Sequence, residues 1–204
     1  MSNFRRPKNL TTRRMQETRP NPPKEQAKTQ RPAREIRWNC PVAAKCGGCQ
    51  LTRLSYAEQL QWKQQRVAEL LDGICEVRPI LGMDDPFHYR NKIHAVLSVD
   101  KAGKPISGVY AMGTHRVVPV RHCLIEDRRA DRIIQTIVAM LPAYKLRIYN
   151  EYTHRGFLRH ILIRTGHVTG QIMVVLVATS LEFPGKKAFV QELIQRHPEI
   201  TTVV

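Results

Sequence analysis

The first 39 residues hold too little apolar surface to build a core, which confines any folded domain to the rest of the 204-residue chain. They carry 11 Lys and Arg against three acids, together with Pro7, Pro20, Pro22, Pro23 and Pro32. Such a segment cannot bury enough surface to offset the entropy of ordering it. Residues 1–37 are therefore predicted to form a disordered basic arm, with folded sequence beginning near Trp38. The arm supplies +8 of the formal net charge of +16, and an equal excess remains on the folded part. A polyelectrolyte of this kind suits nucleic acid phosphates, in a contact that is blind to sequence and weakened by salt. The arm has no amphipathic apolar face for a membrane surface. The longest apolar run, Ile172 to Ala178, is too short to span a bilayer. Arg5, Arg6 and Lys8 lead into polar sequence, without the apolar stretch of a signal peptide. A cytoplasmic protein with no membrane partner is expected.

Beyond the arm the hydrophobic period changes several times. Ser55-Tyr56-Ala57-Glu58 reads as a capping box, opening a helix to about Leu71 with Gly73 near its end. Leu60, Val67, Leu70, Leu71 and Ile74 fall on one face of it, which is predicted to be buried. Trp38 and Trp62 are expected in the core or over the cysteines described below. Ile93, Ala95, Leu97 and Val99 then alternate with Lys92, His94, Val96 and Ser98, the period of a strand. Strands are also predicted at Ile106 to Met112, Val117 to Val120, Leu146 to Tyr152, Leu158 to Arg164 and Gln171 to Ala178. A second helix is read from Ile125 to Leu141 and a third from Lys186 to Arg196, and Ile200 to Val204 starts another strand. This order gives an α+β fold, a mostly antiparallel sheet with flanking helices, and not a regular βαβ alternation. The β-branched ending at Thr201 to Val204 suggests a chain that once continued.

Five cysteines in a chain of this class point to thiol chemistry, not disulfides. Cys40, Cys46 and Cys49 form C-x5-C-x2-C, with Gly47 and Gly48 between the last two. Without side chains these glycines let the backbone curl, so that sulfurs point inward and amides point at sulfurs. A closed four-ligand site needs one more thiolate. Cys75 reads better as a small apolar residue past a helix end, whereas Cys123 in Arg121-His122-Cys123 has basic neighbours that suit a thiolate. A three-plus-one arrangement suits a [4Fe-4S] cube better than zinc, which usually takes two C-x-x-C pairs. Zinc and a redox thiol pair stay open on the residues alone.

Several motifs resemble the RumA/TrmA family of RNA (uracil-5-)-methyltransferases. They are Cys40-Pro41, Cys46-Gly47-Gly48-Cys49-Gln50-Leu51, Leu54-Ser55-Tyr56, Tyr89-Arg90-Asn91-Lys92, and the run through Gly108, His115, Val118-Pro119-Val120 and Cys123. The resemblance covers about residues 38 to 204. It implies that Cys40, Cys46, Cys49 and Cys123 hold a structural or RNA-positioning [4Fe-4S] cluster, and that the RNA is 23S ribosomal RNA. In this family a cysteine attacks C6 of a flipped-out uracil, and C5 then takes a methyl group from S-adenosylmethionine. That chemistry needs a doubly wound domain with a glycine-rich cofactor loop, but the sequence contains no G-x-G combination and no Asp-Pro-Pro-Arg loop. The family's small oligonucleotide-binding barrel is also absent, with the basic arm in its place.

The chain is accordingly expected to be an inactive amino-terminal portion of such an enzyme. Residues 38–199 would form the central domain, and 200–204 would open the missing catalytic domain, whose partnership in cis or trans is open. A monomer is expected. Tyr89, Arg90 and Lys92 set an aromatic and two cations before a strand, a pattern for base stacking and phosphate contact. With His115, Arg155 and Arg159 they are the candidate RNA-binding residues. A stand-alone RNA- or ribosome-binding module with a four-cysteine zinc site is the alternative.

Overall fold

The computed structural model of the chain describes residues 36–204, so the arm predicted at 1–37 lies outside the described residues except for its last two. Ser55 caps the first helix, α1 (Tyr56–Leu70), as its sequence requires. Its hydroxyl accepts from the Glu58 amide at 3.3 Å, and the Glu58 carboxylate accepts from the Ser55 amide at 2.6 Å. The apolar stripe expected to be buried is not. Leu70 is 60% and Ile74 74% exposed, Val67 is exposed as well, and Trp62 is half exposed instead of lying in the core. Among the described residues no helix or strand packs extensively on α1. The helix is held by its start instead, where the Tyr56 amide donates to the Ile36 carbonyl and the Tyr56 hydroxyl accepts from the Met83 amide. Periodicity identifies a face that favours cover and does not supply the cover.

A six-stranded sheet is the frame of the fold, built from β1 (Lys92–Val99), β2 (Pro105–Tyr110), β3 (Val117–Pro119), β4 (Leu158–Thr165), β5 (Ile172–Ala178) and β6 (Ile200–Val203). Its order is β3-β2-β1-β4-β5-β6. Every pair is antiparallel except β5 and β6. A parallel pair needs a crossover, which is α3 (Lys186–Arg196). Residues 200–203, expected to open a further domain, are the sixth strand of this sheet.

One face of the sheet carries the core. Ile93 lies opposite Ile163 and Ala95 opposite Ile161, and all four are buried. On them pack Ile133, Ile134, Ile137 and Met140 of α2 (Arg128–Met140), with Phe189 and Leu193 of α3. Each fully buried side chain of this size contributes roughly 1.5–3 kcal/mol relative to exposure. By the alternation of strand side chains, the other face presents Lys92, His94, Val96 and Ser98 of β1 beside His160, Leu162 and Arg164 of β4.

Two predicted elements change. The helix read from Ile125 begins only at Arg128, because the preceding residues run beside the approach to β1. The His88 amide donates to the Leu124 carbonyl at 2.9 Å and the Arg90 amide to the Ile125 carbonyl at 2.7 Å. Asp127 then caps α2, its Oδ1 accepting from the Arg129 amide at 2.8 Å. The strand read from Leu146 to Tyr152 is two isolated bridges, Ile148 with Leu158 and Asn150 with Arg155. The chain there folds back in a tight turn, with His154 at φ 53° and Gly156 at φ 117°.

Asp127→Ala is expected to lower stability by about 1 kcal/mol at neutral pH, measured by urea unfolding. Burial raises the Asp127 carboxyl, and hydrogen bonds from Arg129 more than offset this, leaving it below its ordinary value of 3.8. The cap therefore contributes above that pH and is lost as pH falls below it, so the two proteins converge in acid.

Candidate metal centre and nucleic-acid interface

Cys40, Cys46, Cys49 and Cys123 line one cavity of about 50 Å³, whereas Cys75 is exposed and takes no part in its wall. Turns between residues 41 and 48 bring the first three together, with the Cys46 amide donating to the Val42 carbonyl at 2.8 Å. The two glycines do what their lack of side chains allows. The Gly48 amide lies 3.4 Å from the Cys46 sulfur as a donor, and a Cβ on Gly47 would press to 3.2 Å from the Met112 Cβ. A bridge from Cys46 to Ala111 ties the loop to the end of β2. Cys123 enters from the connection between β3 and α2, its amide donating to Asp131 Oδ2 at 2.9 Å. Asp131 carried no signal in the sequence. Its position one turn into α2 aims it back at Cys123 only after the chain folds.

Trp38, Arg90, His122 and Glu126 complete the polar and aromatic part of the wall. Trp38 packs on Phe87 with ring centroids 4.7 Å apart, and its Nε1 is buried without a hydrogen-bond partner among the described residues. Arg90, expected on the RNA face, holds its guanidinium here, 3.9 Å from Glu126 Oε1. Burial pushes the Cys123 thiol up to about 11, with the Glu126 carboxylate adding to it. Burial raises Cys49 too, with Arg90 opposing. Glu126 is pushed up to about 7 by burial and by Asp131, against the pull of Arg90. Among the described residues, no three His, Cys, Asp or Glu side chains are gathered as they would be around a single metal ion.

A second site lies where β1, β2 and the residue 148–152 turn meet, in a groove of about 170 Å³. Here the structure joins His115 and Arg159, two of the residues singled out in the sequence, with Tyr110, Tyr149 and Glu151, which were not. Tyr110 donates its hydroxyl to Glu151 Oε1 at 2.8 Å, and His115 Nδ1 donates to Glu151 Oε2 at 2.9 Å, since a carboxylate can only accept. These bonds hold the Glu151 carboxyl below the usual carboxylate range. The Arg159 guanidinium lies 4.7 Å from the centre of the Tyr149 ring. His115 and Glu151 are 36 residues apart, so no local pattern could have paired them. Arg155 is exposed at the adjoining turn, Lys92 is exposed at the start of β1 opposite Arg164, and Tyr89 is exposed beside Cys49 and Gln50. The six candidate RNA contacts thus do not form one surface: His115 and Arg159 line the groove with Arg155 at the turn beside it, Tyr89 and Arg90 lie by the cysteine loop, and Lys92 stands apart at the start of β1. No helix among the described residues is long and apolar enough to cross a membrane.

No protein-family model matches the sequence. An uncharacterised RNA methyltransferase of Clostridium tetani is 38% identical over 169 residues, which is 81% of this chain and 36% of that protein. One from Bacillus cereus is 37% identical over 170 residues, 81% of this chain and 37% of its own length. The chain thus spans a little over a third of the length of these relatives. Among solved structures, the tRNA (uracil-54, C5)-methyltransferase of Pyrococcus abyssi, in complex with S-adenosyl-L-homocysteine, superposes with a TM-score of 0.55 at 26% identity. That match covers 74% of this chain and 35% of the other. By sequence the chain is a homologue of part of these RNA methyltransferases, and its fold is similar to part of this uracil-C5 enzyme.

Proposed function

We propose that the chain supplies the metal- and RNA-binding part of an S-adenosylmethionine-dependent RNA (uracil-5-)-methyltransferase, with 23S ribosomal RNA as its substrate. The observation that carries this reading is that Cys40, Cys46, Cys49 and Cys123 all line one cavity, whose wall leaves out Cys75. Four thiols with a backbone amide on one sulfur form the soft donor set that a [4Fe-4S] cluster takes. When bound, the cluster would supply a rigid anionic centre that cross-links the cysteine loop to the start of α2. The residues around it serve that purpose. Asp131 fixes the Cys123 amide, Arg90 brings a cation to the cavity wall, and the Cys46–Ala111 bridge holds the loop against β2.

The chain's net charge of +16 supports the RNA half of the reading. We assign neither the attacking cysteine nor the S-adenosylmethionine site to this chain, since it has no G-x-G loop to cradle the cofactor. The chain alone is therefore expected to bind RNA without methylating it. Iron, acid-labile sulfide and zinc analysis of anaerobically purified chain tests the metal. About four iron and four sulfide per chain are expected, whereas one zinc without sulfide would replace this reading with a zinc-bearing RNA-binding module. RNA affinity that falls steeply with salt is the expected companion result. Transfer of labelled methyl groups to 23S RNA by the chain alone would overturn the assignment of catalysis elsewhere.

A further inference from the structure

The groove holding His115, Glu151 and Arg159 has a feature that phosphate binding does not explain. A carboxylate lines it on a chain whose overall charge favours polyanions. A single-stranded RNA approaching Arg159 would meet that carboxylate unfavourably unless it brought N–H donors to it. Glu151 is positioned to receive them. Each of its oxygens accepts one hydrogen bond from the protein, from Tyr110 or His115, and keeps a further lone pair. Its side chain remains 36% exposed, and the two bonds fix the orientation of the carboxylate plane.

The surroundings suit a base. Tyr152 lines the groove and is 87% exposed, and the Arg159 guanidinium lies over the Tyr149 ring in the same wall. Unpaired RNA bases are recognised on aromatic rings and guanidinium planes, and by hydrogen bonds along their Watson–Crick edges. Of the four bases, guanine alone presents two adjacent donors, N1–H and the N2 amine, at the spacing of two carboxylate oxygens. Adenine and cytosine each offer an amine beside an acceptor, and uracil a single N–H between two carbonyls.

We propose that this groove is a subsite for one unpaired guanosine of the RNA substrate, read by Glu151 with Tyr110 and His115 as its positioning residues. The base stacks at the tyrosine rim, and Arg159 takes a neighbouring phosphate. The proposal rests on the RNA-binding reading above and narrows it to a base.

Fluorescence anisotropy with short oligouridylates carrying one central guanosine, inosine, adenosine or cytidine tests it, at one low salt concentration and with the full chain. The guanosine oligomer is expected to bind about tenfold tighter than those with adenosine or cytidine. Inosine, which lacks the N2 amine, should fall between them. Glu151→Gln should erase the guanosine advantage, and Arg159→Ala should weaken all four oligomers alike. Salt-sensitive binding of all four with equal affinity would overturn the guanosine subsite and leave RNA binding standing. Failure of every oligomer and of 23S RNA to bind would overturn the RNA-binding reading, and the subsite with it.

Discussion

Cys123→Ser is expected to strip the purified chain of iron and acid-labile sulfide, while Cys75→Ser keeps both. Local sequence favours Cys123 only through its basic neighbours Arg121 and His122, since each cysteine follows a regular element and each is small. Packing separates them. Cys75 is exposed and outside the cavity wall, whereas Cys123 is partly buried in that wall with its amide held by Asp131 at 2.9 Å. A serine hydroxyl is a hard, weakly acidic ligand that replaces a thiolate poorly, so removal of one of four sulfurs should abolish assembly. Cys46→Ser should behave as Cys123→Ser does. Metal binding at such a site is also folding energy, so both variants should unfold at lower denaturant than the parent, and Cys75→Ser should not. Iron and sulfide analysis with the visible absorption spectrum reads the metal, and urea unfolding under nitrogen reads the stability. Loss of iron in Cys75→Ser with retention in Cys123→Ser would mean that the ligand set is wrong.

Gly156→Ala should cost about 3 kcal/mol, roughly 10 °C in Tm for a chain of this size. Gly156 stands at φ 117°, a conformation that side chains disfavour, and a Cβ there would lie 2.2 Å from the Ile148 carbonyl oxygen and 2.6 Å from the Tyr149 Cα. Those neighbours are backbone and cannot swing away as a flexible side chain would. Gly103 is the control. It has φ 76°, but nothing lies within 4 Å of the added atom, so Gly103→Ala should carry only the left-handed backbone cost of about 1–2 kcal/mol. Thermal unfolding of the two variants beside the parent compares the terms, and equal shifts would show that the close approach to Ile148 relaxes freely. Because Ile148 and Tyr149 also line the groove with Glu151, Gly156→Ala should weaken RNA binding further than Gly103→Ala does.

Much of the fold is legible along the chain because its signals are local. Ser55 and Glu58 are three residues apart and close the capping box wherever the helix goes. The two-residue alternation from Lys92 to Val99 survives as β1, and the run from Gln171 as β5, because one face of each strand must be covered. The helix start at Ile125 and the strand at Leu146 were misread for one reason. Both segments are apolar with suitable periods, but their backbone hydrogen bonds leave the element, to His88 and Arg90 in one case and across a tight turn to Leu158 and Arg155 in the other.

The candidate site divides along the same line. Three cysteines with two intervening glycines lie within ten residues, so the curled loop and its sulfur-directed amide could be anticipated from spacing. The sequence also singled out His115 and Arg159 as candidate RNA contacts. It could not supply Asp131 behind Cys123, Arg90 turned toward Glu126, or Glu151 between Tyr110 and His115. Asp131 reaches Cys123 from eight residues on, through the turn into α2, whereas Arg90 with Glu126, and Glu151 with Tyr110 and His115, are 36 or more positions apart and meet only when distant segments pair. Local chemistry along the chain specified which groups were present. Long-range pairing, which depends on the whole core closing, decided which of them meet.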